Sequence, residues 1–146
     1  MLSATSQYAL RALAYLGRHG GQQAILGREL ARSTGIPAQY LSKIMLALRH
    51  AGLVSAVRGL GGGYRLARPA QQIRLADVVE IFDGAATEPM CLLGNKRRCS
   101  ELSPCSAHEA WRELRDTYLR FLHKTTLDQI AGAGREANLA TVGEER

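Results

Sequence analysis

Four residues able to bind a metal fall within 18 positions: Cys91, Cys99, Cys105 and His108. Seven residues separate Cys91 from Cys99, five separate Cys99 from Cys105, and two separate Cys105 from His108. Three thiolates and an imidazole are soft-to-borderline donors, a set that holds zinc tetrahedrally or an iron–sulfur cluster. Zinc sites favour cysteine pairs two to four residues apart, which this chain lacks, so the wide spacing suits a cluster better. Buried thiols and a thiol redox switch remain as alternatives, and His108 is as readily a capping or solvent-facing side chain as a ligand. Lys96-Arg97-Arg98 beside Cys99 favours a thiolate there. Three cysteines in so short a span are not a disulfide framework, which points to a reducing, cytoplasmic setting.

Charge divides the chain. Residues 1–76 carry ten Lys/Arg and one acid, Glu29, whereas residues 77–146 carry nine Lys/Arg and twelve acids. The acid-free stretch from Glu29 to Asp77 suits a polyanion such as nucleic acid; the alternative is a solvated basic surface. No apolar run approaches the roughly 20 residues of a membrane span, so no membrane partner is expected. The opening residues lack a signal-peptide core, since Arg11 interrupts them and their apolar positions have helical period.

The elements that must position these residues follow from periodicity. Ala9, Ala12, Leu13 and Leu16 predict a helix over 7–18, capped by Ser6 and stopped at Gly20-Gly21. Residues 26–33 predict a second helix with Leu26, Leu30 and Ala31 inward. Gly35 suits a tight turn, and Pro37 a first-turn position of a third helix, whose stripe is Tyr40, Leu41, Ile44, Met45 and Leu48. Short helix, glycine turn and longer helix is the helix-turn-helix order, although ordinary helix packing would look similar. Leu53, Val54 and Val57, then Arg58-Gly59-Leu60-Gly61-Gly62-Gly63, then Tyr64-Arg65-Leu66 predict a β-hairpin wing. A nucleotide-phosphate loop is excluded, because the run completes neither G-x-G-x-x-G nor G-K-[ST].

Leu75 to Phe82 predicts a further helix. Residues 85–104 lack periodicity and predict a loop carrying Cys91 and Cys99. A long helix of roughly 20 residues follows, capped by Ser103 or by a Ser106/Glu109 box. Its stripe of Trp111, Leu114, Tyr118, Phe121, Leu122 and Thr125 predicts a dimer seam, with packing on the subunit's own core as the alternative.

The outward positions of the third helix, Ala38, Gln39, Ser42, Lys43 and Arg49, are candidates for contact with double-stranded DNA. Gln39 and Ser42 can meet base edges, while Lys43 and Arg49 can meet phosphate or guanine. Tyr40 borders this surface. Arg58, with Gly59 giving close backbone approach, can enter a minor groove. Arg28 and Arg65 complete the basic candidates. No nucleophile–base constellation accompanies His19, His50 or His123, so no enzyme is expected.

Three segments, Ser6 to Leu13, Ile36 to Ile44 and Gly52 to Leu66, closely resemble the bacterial winged-helix regulators of the IscR/NsrR family. The resemblance spans about residues 1–125. It implies a homodimer crossed through the long helix and binding a pseudo-palindromic operator, with three loop cysteines holding a cluster. The IscR branch places a histidine where His108 stands and binds a [2Fe-2S] cluster. NsrR-like members can use an acid near the N-terminus, but no acid precedes Glu29. The first cysteine gap, seven residues here and five in the usual IscR pattern, departs from that branch.

The chain is therefore expected to be mainly α with a small β-hairpin wing. The expected parts are a winged helix-turn-helix region (1–84), a cysteine-bearing sensor loop (85–104), a dimerisation helix with a short end helix (105–132), and a disordered tail (133–146). The expected function is an iron–sulfur cluster-sensing repressor. The alternative is a zinc- or thiol-dependent regulator without a cluster.

Overall fold

A computed structural model describes residues 2–21, 23–84, 91–94 and 99–132. Among these residues six α-helices and one hairpin follow in the order α1 (Ala4–His19), α2 (Gly27–Thr34), α3 (Ala38–His50), β1 (Val54–Val57), β2 (Gly63–Leu66), α4 (Leu75–Asp83), α5 (His108–Lys124) and α6 (Leu127–Ala131). The expected disordered tail at 133–146 and the basic run Lys96-Arg97-Arg98 lie outside the described residues.

Helix α1 is central and packs against α2, α3, α4 and α6. Its Ala9, Ala12, Leu13 and Leu16 are buried with Leu30, Leu41, Ile44, Met45 and Leu48. Each large apolar side chain buried this way contributes about 1.5–3 kcal/mol. The helix starts earlier than its periodicity suggests. Ser3, not Ser6, is the cap: its Oγ accepts the Ser6 N–H at 3.1 Å, and Ser6 itself is buried. A serine within reach of the first free amides outcompetes one already inside the helix.

The α2–turn–α3 unit matches expectation at Gly35, which ends α2 in the left-handed conformation at φ 67°. Two inward assignments fail. Leu26 caps α2 from outside and is 47% exposed, and Tyr40 is 57% exposed beside Tyr8. The core face of α3 runs through Leu41, Ile44, Met45 and Leu48, and Tyr40 falls one residue off that stripe. Pro37 is the residue before α3 rather than its first.

Strands β1 and β2 pair antiparallel from Val54↔Leu66 to Val57↔Gly63. Ile25 bridges to β2 from outside the hairpin: its N–H donates to the Tyr64 carbonyl, and the Tyr64 N–H donates back, both at 2.8 Å. This pairing requires Gly63, whose φ is +136° and where a Cβ would lie 2.1 Å from the Ile25 oxygen.

Helix α5 begins at His108, not near residue 105, and Ala107 precedes it without a side-chain cap. Ser103 instead closes a tight turn with Ser100, and the two exchange backbone hydrogen bonds at 3.1 and 3.2 Å. The C-terminal end of α5 is clipped to the body. The Leu75 N–H donates to the Thr125 carbonyl at 3.0 Å, and the Leu127 N–H to Ile73 at 2.8 Å. Leu122 and partly buried Tyr118 pack on Leu75, Ala76 and Val79 of α4, while Leu114 and Phe121 are each 52% exposed. The expected seam is therefore split between the subunit's own core and solvent.

Candidate functional site

Ten residues singled out for DNA, namely Arg28, Ala38, Gln39, Tyr40, Ser42, Lys43, Arg49, Arg58, Gly59 and Arg65, are all exposed. Helix α3 presents Gln39, Ser42, Lys43 and Arg49 away from its core stripe, and Arg58 and Gly59 stand at the hairpin tip. Two candidates already have local hydrogen-bond partners: the Ser42 hydroxyl donates to the Ala38 carbonyl at 3.1 Å, and Arg65 Nε donates to Ser55 Oγ at 3.4 Å. Either can exchange that partner for an external acceptor. Arg11 of the same basic half is structural, since it donates to the Thr34 carbonyl at 3.1 Å and lies over the Tyr8 ring.

The cysteines converge. The sulfurs of Cys91, Cys99 and Cys105 all lie within 4.8 Å of one another, although seven and five residues separate them in sequence. Cys91 and Cys105 are 3.7 Å apart, and Cys99 Sγ lies 3.2 Å from His108 Nδ1. The donors thus group two and two, at the edge of a cleft of about 280 Å³ that Trp111 and Arg115 also line. A turn brings in His108, whose N–H donates to the Cys105 carbonyl at 3.1 Å. A hydrogen bond with the Cys105 backbone lowers the Cys99 thiol pKa. Loss of water and the neighbouring Cys105 and Cys91 thiols outweigh it and push that pKa above its usual value. A cation held by the same sulfurs reverses this balance, because coordination deprotonates a thiol.

The donor set fits the group the sequence suggested: three thiols and an imidazole nitrogen face one cleft. Comparison with known proteins then decides the family. Residues 2–133 match the model of the Rrf2 family, described as iron-dependent transcriptional regulators. The chain belongs to that family. Relatives include the HTH-type transcriptional regulator IscR of Pectobacterium atrosepticum, 30% identical over 95% of this chain and 84% of the relative. IscR of Vibrio campbellii is 32% identical over 88% of this chain and 76% of its own length. Among solved structures, CymR, the global cysteine regulator of B. subtilis, superposes with a TM-score of 0.75 at 26% identity, covering 90% of this chain and 95% of CymR. The T. potens IscR structure shares the fold, with a TM-score of 0.69 at 23% identity. The regulator is thus a DNA-binding transcription factor and not an enzyme. Among the described residues no helix is long and apolar enough to cross a membrane.

Three residues of this regulator escaped the sequence. Glu101 accepts from both His108 and Arg112. Trp111, read as part of the seam, lines the sulfur cleft and is partly buried. Asp83, at the end of α4, is buried. Only Asp83 had a visible signal, an acid ending an apolar helix.

Proposed function

We propose that this regulator is a cytoplasmic, homodimeric repressor that binds a pseudo-palindromic operator and senses an iron–sulfur cluster, [2Fe-2S] by family resemblance. Its expected targets are genes of iron–sulfur, redox or nitric-oxide response. The observation that carries this reading is the gathering of three sulfurs within 4.8 Å, with His108 Nδ1 facing them. Cys91, Cys99, Cys105 and His108 would hold the cluster, which when bound supplies a redox- and oxidant-sensitive centre. The protein's part is to link that pocket to the DNA-reading surface. Asp83 ends α4, eight positions before Cys91 in sequence, and it accepts the backbone N–H of Ser3 at the start of α1. Because α1 also packs on α2 and α3, a change at the pocket has a path to the helix bearing Gln39 and Lys43. Regulation follows if the two loop states differ in affinity for DNA.

Anaerobic purification followed by a visible spectrum with iron and sulfide counts tests this. Brown or red protein with iron and sulfide in equal amounts is expected; colourless protein overturns it.

The sulfur spacing also suits a second reading. Zinc bound tetrahedrally at about 2.3 Å would set its sulfurs about 3.8 Å apart, and Cys91 and Cys105 stand at 3.7 Å. The same proximity serves a thiol switch, and an oxidized form of Staphylococcus aureus CymR, 27% identical with a TM-score of 0.73, has this fold. Zinc in stoichiometric amount, or a disulfide formed on mild oxidation, would establish that alternative.

A further inference from the structure

Glu101 lies outside the sulfur set, yet two side chains of α5 converge on it. Its Oε1 is 3.3 Å from His108 Nε2, and its Oε2 is 3.1 Å from Arg112 Nη1. His108 and Arg112 are four residues apart, so one helix face presents both to the same carboxylate. The His108 side chain is 17% exposed, and its other nitrogen, Nδ1, is the one 3.2 Å from Cys99 Sγ. A neutral imidazole carries one N–H, and an ionised carboxylate can only accept. The proton therefore belongs on Nε2, leaving the Nδ1 lone pair directed at the sulfurs. Arg112 holds one carboxylate oxygen, so the other stays aimed at the ring.

We propose that Glu101, braced by Arg112, is the positioning residue of the sensor pocket: it holds His108 as the Nε2–H tautomer, so that Nδ1 is the nitrogen offered to a metal centre bound by Cys91, Cys99 and Cys105. This rests on the metal-binding reading above and adds the group that orients the fourth donor. Partners of this kind on a ligand's second nitrogen fix ring orientation and raise ligand basicity. The Glu101 side chain is 64% exposed and Arg112 42%, so the ion pair adds little to folding and its removal should leave the fold intact.

Two measurements on the full chain decide it. The first is the ring-nitrogen NMR spectrum of His108 in metal-free protein at pH 8. The Nε2–H tautomer is expected in the wild type, with Nδ1–H gaining population in Glu101→Ala. A dominant Nδ1–H or doubly protonated ring in the wild type overturns the proposal. The second is the rate at which a chelator strips protein reconstituted anaerobically with ferrous iron and sulfide. Glu101→Ala should lose its centre roughly 10–100-fold faster. Glu101→Gln should recover most of the difference, because its amide oxygen still accepts from Nε2, and Arg112→Ala should fall between. In a His108→Cys background the Glu101→Ala effect should vanish. Equal stripping rates for wild type and Glu101→Ala, or an undiminished effect in the His108→Cys background, would sink it. If the wild type takes up no iron, the proposed function fails, and the ring tautomer alone decides this inference.

Discussion

The carboxylate of Asp83 accepts the backbone N–H of Ser3 at 3.1 Å, joining the end of α4 to the cap of α1 across 80 residues of sequence. Asp83 is 8% exposed. Burial pushes its pKa up, but the Ser3 hydrogen bond and the nearby serine hydroxyls outweigh burial and hold the carboxyl below its ordinary value. A carboxylate depressed in the folded state stabilises above its unfolded pKa of about 3.9, and that stability is lost as pH falls through the lower folded value. Asp83→Asn is therefore expected to cost about 1–3 kcal/mol near neutral pH. The gap from wild type should begin to narrow below about pH 4 and close only as pH falls through the lower folded value. Urea melts from pH 7 down to about pH 2 check this, and matching midpoints at pH 7 would show that the carboxylate's charge is not stabilising.

Gly63 carries the wing. Any other residue there must adopt φ +136° and place a Cβ 2.1 Å from the Ile25 oxygen. Gly63→Ala is expected to break the Ile25–Tyr64 rung and destabilise by about 2–4 kcal/mol, combining backbone strain with lost hydrogen bonds. Gly61→Ala, which meets nothing within 4 Å and has only its φ of +73° against it, should cost less. Thermal melts of the two variants should rank in that order.

Arg58→Ala is expected to weaken operator binding by about 1–3 kcal/mol, because the wing-tip guanidinium is lost from the groove. Lys43→Ala should weaken operator and unrelated duplex alike and reduce the salt dependence by about one unit of slope. Fluorescence anisotropy over a range of salt separates the two. Unchanged operator affinity in Arg58→Ala would remove the wing from DNA reading.

Leu114 and Phe121, seven residues apart on α5, are both half exposed. Tyr118 between them packs on the subunit's own α4, and burial, with the Asp83 charge adding to it, pushes its hydroxyl pKa up. Leu114→Glu with Phe121→Glu should therefore give folded monomers with poor operator affinity. Tyr118→Glu should destabilise the fold itself. A dimeric double variant by light scattering would place the interface elsewhere.

Cys99→Ala should match metal-free protein in DNA affinity, and both should differ from iron- and sulfide-loaded protein about 5- to 150-fold at some site. Equal affinities among the three at every site would leave the pocket structural.

Local patterns were legible because they depend on neighbours in sequence. The periods of α1 and α3, the glycine turn at Gly35, the wing and the acid-free basic face all follow from spacing, backbone sterics and charge. The cysteine–histidine set was legible as a list of donors, and the resemblance extended it to a sensor. The sequence could not say that Ser3 rather than Ser6 caps α1, because both serines suit a cap and packing chose between them. It mistook Tyr40 and Leu26 for core, since a stripe's edge is set by the curvature of the surface it meets. Most of all, it could not pair Cys99 with His108, or Glu101 with both His108 and Arg112. Loop residues have no period, and only the tertiary fold decides which loop atoms lie within bonding distance of a helix start.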